Sequence, residues 1–222
     1  MTISVVIPTL NEGARLADTL SSVRGEGLEI IVVDGGSGDE TVQLAHEAGA
    51  WVLKSDRGRA RQLRIGSEQA TGEIILFLHA DTTLDQGWDS AVREVMSDLS
   101  VAGGAFKFRF AERGLWSNWI EFWVRVRMAL WCLPYGDQAL FMRREVLERM
   151  GGVPIVPVME DLDLVQGIKR AGELRMLPLV ATTSARRYHG RGTFRTIGGH
   201  LYGLLGWALG WDRQRIAERI GR

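Results

Sequence analysis

Four short apolar runs alternate with helical stretches through the first eighty residues, and this alternation restricts the fold more than any other feature of the chain. "SVVIP" (4–8), "EIIVVD" (29–34), "WVLK" (51–54) and "IILFL" (74–78) are strand-length and apolar at their centres, as expected of strands covered on both faces. Between them, Gly13 to Val23 carries Leu16, Leu20 and Val23 on one stripe, Asp39 to Ala48 ends at Gly49, and Arg57 to Ala70 is an arginine-rich helix; the spacing and the closing glycine are helical signals. A further helix is expected from Gln86 to Leu99. Repeated β-α-β units require parallel strands, hence an α/β, doubly wound, mostly parallel sheet flanked by helices. Ligands of such sheets bind beyond the carboxyl ends of the strands. The sequence places Pro8, Thr9, Asn11 and Glu12 at one such end, Asp34 at a second, and His79, Ala80 and Asp81 at a third.

After residue 100 the pattern changes. "AGGAFKFRF" (102–110) alternates like a strand with one wetter face, and "QALFMRR" (138–144) reads as its antiparallel partner. Leu115 to Leu133 is an aromatic-rich helix, followed by a short helix at "REVLERMGG", a helix from Glu160 to about Gly172, a strand near Arg175 to Leu179 and a last helix near Thr196 to Gly210. The expected organisation is one domain, 1–222, with a nucleotide platform (1–100) and a substrate-specific half (101–222).

Basic and acidic residues balance at 27 each, so no global field points to nucleic acid. The lone Cys132 excludes an internal disulfide framework and reads as a small apolar residue in a reducing compartment. No basic leader precedes the first strand and no apolar run reaches spanning length, so a cytoplasmic protein is expected.

The first turn, "PTLNEG", has a single glycine, which fails the G-x-G-x-x-G of dinucleotide binding, and Walker A spacing is absent. What remains are carboxylates at strand ends, suited to a nucleotide's base and ribose and, through a hard divalent cation, to its phosphates.

Together, "VVIPTLNEG", "IIVVDGGSGDET", "RGRARQLRIGSEQATGEIILFLHADT", "GDQALFMRREVLERMGG" and "MEDLDL" resemble the family 2 glycosyltransferases, which have the GT-A fold. The segments run in register from residue 3 to about 190. The short length and the "FLHADT" and "GDQ" segments look most like a small bacterial branch, the transferase 2 group associated with radical-SAM and selenodomain proteins. The resemblance implies an inverting transfer of a sugar from a nucleoside-diphosphate sugar to a hydroxyl acceptor, with Mn2+ or Mg2+. It implies that Pro8, Thr9, Asn11 and Glu12 line the nucleotide pocket with His79, Ala80 and Asp81, that Asp34 binds the base, and that Gly58 and Arg59 approach the nucleotide. It makes Asp81 the last acid of a D-x-D motif and a metal ligand, Asp161 the general base, and Gly136, Asp137 and Glu160 part of the acceptor pocket. His189 becomes an additional metal ligand, and Arg186, Arg187 and Arg191 candidates for the diphosphate. Two positions depart from the pattern: His79 stands where the first D-x-D acid is usual, and Gly35 replaces the second acid of "VVDDGS".

Plainer readings exist for each. Acids open helices because they favour the positive dipole end, aspartates cap turns, and arginines such as those of "RGRARQLR" line solvated helix faces. His46 and His200 read as structural. The aromatic stripe Trp116, Trp119, Phe122 and Trp123, with Trp207 and Trp211 further on, fits core packing, an acceptor pocket, or peripheral contact with the inner face of a membrane. Two rival functions are a nucleotidyltransferase, which would need a basic glycine-rich loop after the first strand, and a non-catalytic sugar-nucleotide-binding protein.

Overall fold

The computed structural model describes residues 1–186 and 193–221, with the side chains of 193–196 left out. One eight-stranded sheet runs in the order β3-β2-β1-β4-β7-β6-β8-β5. Its first half is parallel: β1 (Ile3–Thr9) lies between β2 (Leu28–Asp34) and β4 (Ile74–Phe77), and β3 (Trp51–Lys54) closes the edge. Crossovers are made by α1 (Gly13–Ser22), α2 (Thr41–Glu47) and α3 (Arg59–Gln69). The cores of β1, β2 and β4 are fully buried, as their unbroken apolar runs require. Gly66 lets α3 lie against the sheet, since a Cβ there would come within 2.4 Å of Val6 Cγ1 and 2.9 Å of Val33 Cγ2.

The second half is mixed. β7 (Phe141–Arg143) runs antiparallel to both β4 and β6 (Val101–Phe110), β8 (Glu173–Thr183) is parallel to β6, and β5 (Thr82–Leu84) closes the far edge antiparallel to β8. Helices α4 (Trp88–Val95), α5 (Leu115–Trp131), α6 (Arg144–Arg149) and α7 (Glu160–Ala171) lie between these strands in the chain, and α8 (Thr193–Ala208) and α9 (Arg213–Ile220) end it.

Four expectations need correction. Thr82 and Thr83 do not merely close a loop; they form β5, where the Thr82 hydroxyl donates to Thr183 Oγ1 at 2.9 Å. The strand expected at 138–144 is shorter, because 136–138 is a 3-10 turn. The strand expected at 175–179 spans eleven residues, most of them paired along β6. A further helix, α9, follows the one expected to be last. The aromatic stripe of α5 is mostly uncovered: Trp116 packs on Phe110 and Ile120 is buried, whereas Trp119 is 50% exposed and Trp123 51%. Among the described residues, no helix is long and apolar enough to cross a membrane.

Candidate active site

The parallel register places Thr9 level with Asp34, so the ends of β1 and β2 open on one edge. Peptide groups of Val6 and Pro8 face the same side, toward β4, but β4 pairs only as far as Val6. The N–H that Pro8 lacks is therefore not missed, and a cleft opens between β1 and β4. Gln62 of α3 clips the floor: its Nε2 donates to Thr9 O and to Val33 O, both at 2.8 Å. This explains Gly35, where a Cβ would meet Gln62 Nε2 at 3.2 Å.

Two loops stitched to one another form the first wall. Asp34, 4% exposed, holds its own turn by accepting from the Gly36 and Ser37 amides at 2.9 and 3.0 Å. Asn11, at φ 54°, donates its amide to Ser37 Oγ and accepts from the Gly38 amide, and Glu12 N donates to Thr41 Oγ1.

Arg59 is the centre of the opposite wall. It opens α3 behind Gly58, whose φ of 142° strongly favours glycine. Its Nε pairs with Glu160 Oε1 at 3.2 Å, and Glu160 is itself buried. Burial alone would lower the Arg59 pKa, but Glu160, Asp161, Asp137 and Asp81 outweigh it, raising the value and holding the guanidinium charged. Gly136 leaves room for this group: a Cβ there would sit 1.9 Å from Arg59 Nη2 and 3.3 Å from His79 Nε2. The Gly136 amide donates to Asp161 Oδ2 at 2.8 Å, and the Leu162 amide to Oδ1 at 3.0 Å. The carboxylate at the head of α7 is thus oriented by two backbone donors.

Asp81 stands where the two walls meet. Thr183 Oγ1 lies 3.5 Å from its Oδ1, and its charge is felt by both Glu12 and Arg59. Glu12 Oε1 pairs with Arg186 Nη2 at 2.5 Å across 174 positions of chain, while Oε2 is buried with no hydrogen-bond partner among the described residues. Burial raises the Glu12 pKa, Arg186 offsets part of that, and Asp81 adds to it.

The structure therefore gathers Arg59, His79, Asp81, Gly136, Asp137, Glu160 and Asp161, with Glu12 on the Asp81 side. Asp34 lies on the neighbouring strand end, with its oxygens engaged in its turn. Glu160, expected in the acceptor pocket, is turned inward to Arg59. His189, Arg187 and Arg191 lie outside the described residues. Among the described residues, no three His, Cys, Asp or Glu side chains are grouped to hold a metal ion.

Sequence reasoning missed Gln62, Arg127, Tyr135 and Asp163. Arg127 lies over the Tyr135 ring, 3.5 Å from its centroid, and donates to Gln138 Oε1 at 2.9 Å. Asp163 accepts from Trp207 Nε1 at 2.7 Å and from Arg213 Nη2 at 2.9 Å, fastening α8 and α9 to the first turn of α7. Its position beside Asp161 in "EDLD" was the one available signal.

The chain is similar in sequence and in fold to known glycosyltransferases. Glycosyltransferase AglJ of Haloferax volcanii is 31% identical over 112 residues, covering 44% of this chain and 37% of AglJ. The poly-beta-1,6-N-acetyl-D-glucosamine synthase of Staphylococcus aureus is 34% identical over 93 residues, 38% of this chain and 23% of the synthase. The matched stretches are thus well under half of either relative. Among solved structures, the mannosyltransferase PcManGT from Pyrobaculum calidifontis, in complex with GDP-Man and Mn2+, superposes with a TM-score of 0.68 at 20% identity, covering 98% of this chain and 67% of that one. S. aureus TarS 1-349 in complex with UDP does so with 0.65 at 20% identity, covering 83% and 61%. At such identities the likeness is one of fold. The sequence profile described as "Glycosyl transferase family 2" matches residues 4–151, two thirds of the chain, and the chain belongs to that family.

Proposed function

We propose that the protein transfers a sugar from a nucleoside-diphosphate sugar to a hydroxyl acceptor with inversion at the anomeric carbon. The observation that carries the reading is the convergence on Arg59: four carboxylates from three segments of the chain share its field, and one of them, Asp161, is held by two amides at the cleft. A sugar hydroxyl is a poor nucleophile at neutral pH. Asp161 takes its proton as the oxygen bonds to the anomeric carbon and the bond to the diphosphate breaks; a single displacement inverts the centre. Arg59, kept charged, faces the negative charge that develops on the leaving group.

Residues 1–100 hold the donor and 101–222 the acceptor. Glu12 Oε2, a buried acceptor atom without a donor among the described residues, suits a ribose hydroxyl, and Thr9, Asn11 and Asp34 frame the base. Neighbouring ion pairs go to Glu12 and Glu160 rather than Asp81 among the described residues, so the Asp81 carboxylate fits a hard cation that takes its other ligands from water and phosphates. Mn2+ or Mg2+ bound there would offset charge on the diphosphate. PcManGT and glucosyl-3-phosphoglycerate synthase, crystallised with Mn2+ and sugar nucleotides, support that choice.

The test is the thermal shift produced by UDP or GDP with and without Mn2+. A shift that grows with Mn2+ in the native protein and loses only that increment in Asp81→Ala supports the reading; nucleotides that bind but are never turned over favour the binding-protein alternative.

A peripheral seat on a membrane is a second element of the proposal. Trp119, Phe122, Trp123, Leu130 and Trp131 of α5 are half-exposed or more, as are Leu201 and Leu205 of α8, and tryptophan favours surfaces with one wet side.

A further inference from the structure

A cavity of about 530 Å³ lies between α5 and α8 and is walled almost entirely by carbon. Trp119, Trp123 and Leu130 form one wall, and Ile197, Leu201 and Leu204 the other. Its polar groups are few: Arg127, Tyr135, Asp137 and His200. Cavities of this size and character take small ligands by burying most of their apolar surface, with a few polar groups to orient them.

The 3-10 turn with its preceding residue, 135–138, ties this cavity to the chemistry. Tyr135 and Asp137 line the cavity, while Gly136 between them donates its amide to Asp161. Tyr135 is fixed from both sides, under Arg127 and edge-on to His200 at 6.3 Å between ring centroids. A molecule whose tail fills the cavity therefore carries its head past Asp137 toward the carboxylate that takes the proton.

We infer that the acceptor is an amphiphile: a hydrocarbon portion occupies the α5–α8 cavity and a hydroxyl head reaches Asp161. The assignment rests on the transfer reading above and names its substrate class. A simple sugar would leave the cavity to water, yet it offers almost no polar partner to hold water. A second copy of the chain would cover the cavity mouth without explaining why its inner end is the turn that carries the Gly136 amide.

The test uses n-alkyl β-glucosides from methyl to octyl, below their micelle concentrations. Affinity is read from tryptophan fluorescence and KM from transfer. Affinity should rise by roughly fourfold for each methylene that is buried. Leu204→Trp, at a partly exposed wall position, should flatten the series while UDP and GDP binding stay unchanged. A flat series in the native protein overturns the inference, as does a series that Leu204→Trp does not alter. Self-association abolished by Leu204→Trp, with no response to tails, also overturns it and assigns the cavity to an interface between copies. Tail binding without nucleotide binding would leave the cavity assignment standing and remove the transfer reading instead.

Discussion

Arg59 Nε lies 3.2 Å from Glu160 Oε1, joining the first residue of α3 to the first residue of α7 across the mouth of the cleft. The two helices come from opposite halves of the chain, so this pair ties the two halves together. Glu160 is only 5% exposed at its side chain, and breaking a buried ion pair by removing one partner is strongly destabilising. Arg59→Met should therefore cost about 3 kcal/mol in urea unfolding, the low end for such pairs because Arg59 retains some solvent. Glu160→Gln in the Arg59→Met background should recover part of the loss, and an additive double mutant would contradict the coupling.

Asp161→Asn keeps an oxygen for one of the two amides that orient it, so stability should change by less than about 1 kcal/mol. The side chain can no longer accept a proton, and transfer should fall at least about a hundredfold. Nucleotide affinity, followed by thermal shift, should be close to native.

Glu12 titrates against the fold. Burial raises its pKa above the ordinary 4.5, so the folded chain favours the protonated form. Its contribution to stability is fullest below pH 4.5, is lost as pH rises through the raised value, and is level above it. Glu12→Gln removes this step. Urea midpoints measured from pH 4 to 7 should show the variant gaining on the native protein with rising pH, and parallel curves would rule out the assignment.

Gly136→Ala presses on a side chain rather than on backbone, since the nearest atom to its Cβ is Arg59 Nη2. The guanidinium must leave its place beside Glu160. Nucleoside-diphosphate affinity should drop by roughly tenfold, about 1.4 kcal/mol, with secondary structure by circular dichroism unchanged. Undiminished affinity would show that the Arg59 position is irrelevant to the donor.

The exposed aromatic face makes its own prediction. Purified protein should co-float with anionic vesicles, and Trp119→Ser with Trp123→Ser should reduce the floating fraction severalfold. Equal flotation of the variant would place the contact elsewhere.

The donor half was legible because strands buried on both faces leave unbroken apolar runs, and their polar ends fall at one edge once the sheet is parallel. Asp81 was singled out in this way, and Asp161, Gly58 and Arg59 by resemblance to the family. β5 was missed because three residues are too few to display a period. Gln62 was missed because it lies among arginines on a helix that looks solvated; which face turns inward depends on the strand ends it clips. The bonds from Asp163 to Trp207 and Arg213 join residues 44 and 50 positions apart, a separation at which sequence pattern carries no signal. The openness of α5 was equally hidden, since a stripe of tryptophans looks the same whether covered or bare.

Asp161 and Asp163 occupy one helical turn and have unlike duties, the first in the proposed proton transfer and the second as a mooring for α8 and α9, which pack mainly on each other. The sheet does not depend on those last helices. Helices α8 and α9 can in consequence be re-tailored for a different customer, by selection or by hand, with the Glu12–Arg186 pair left as it is, provided that an acid stays at position 163.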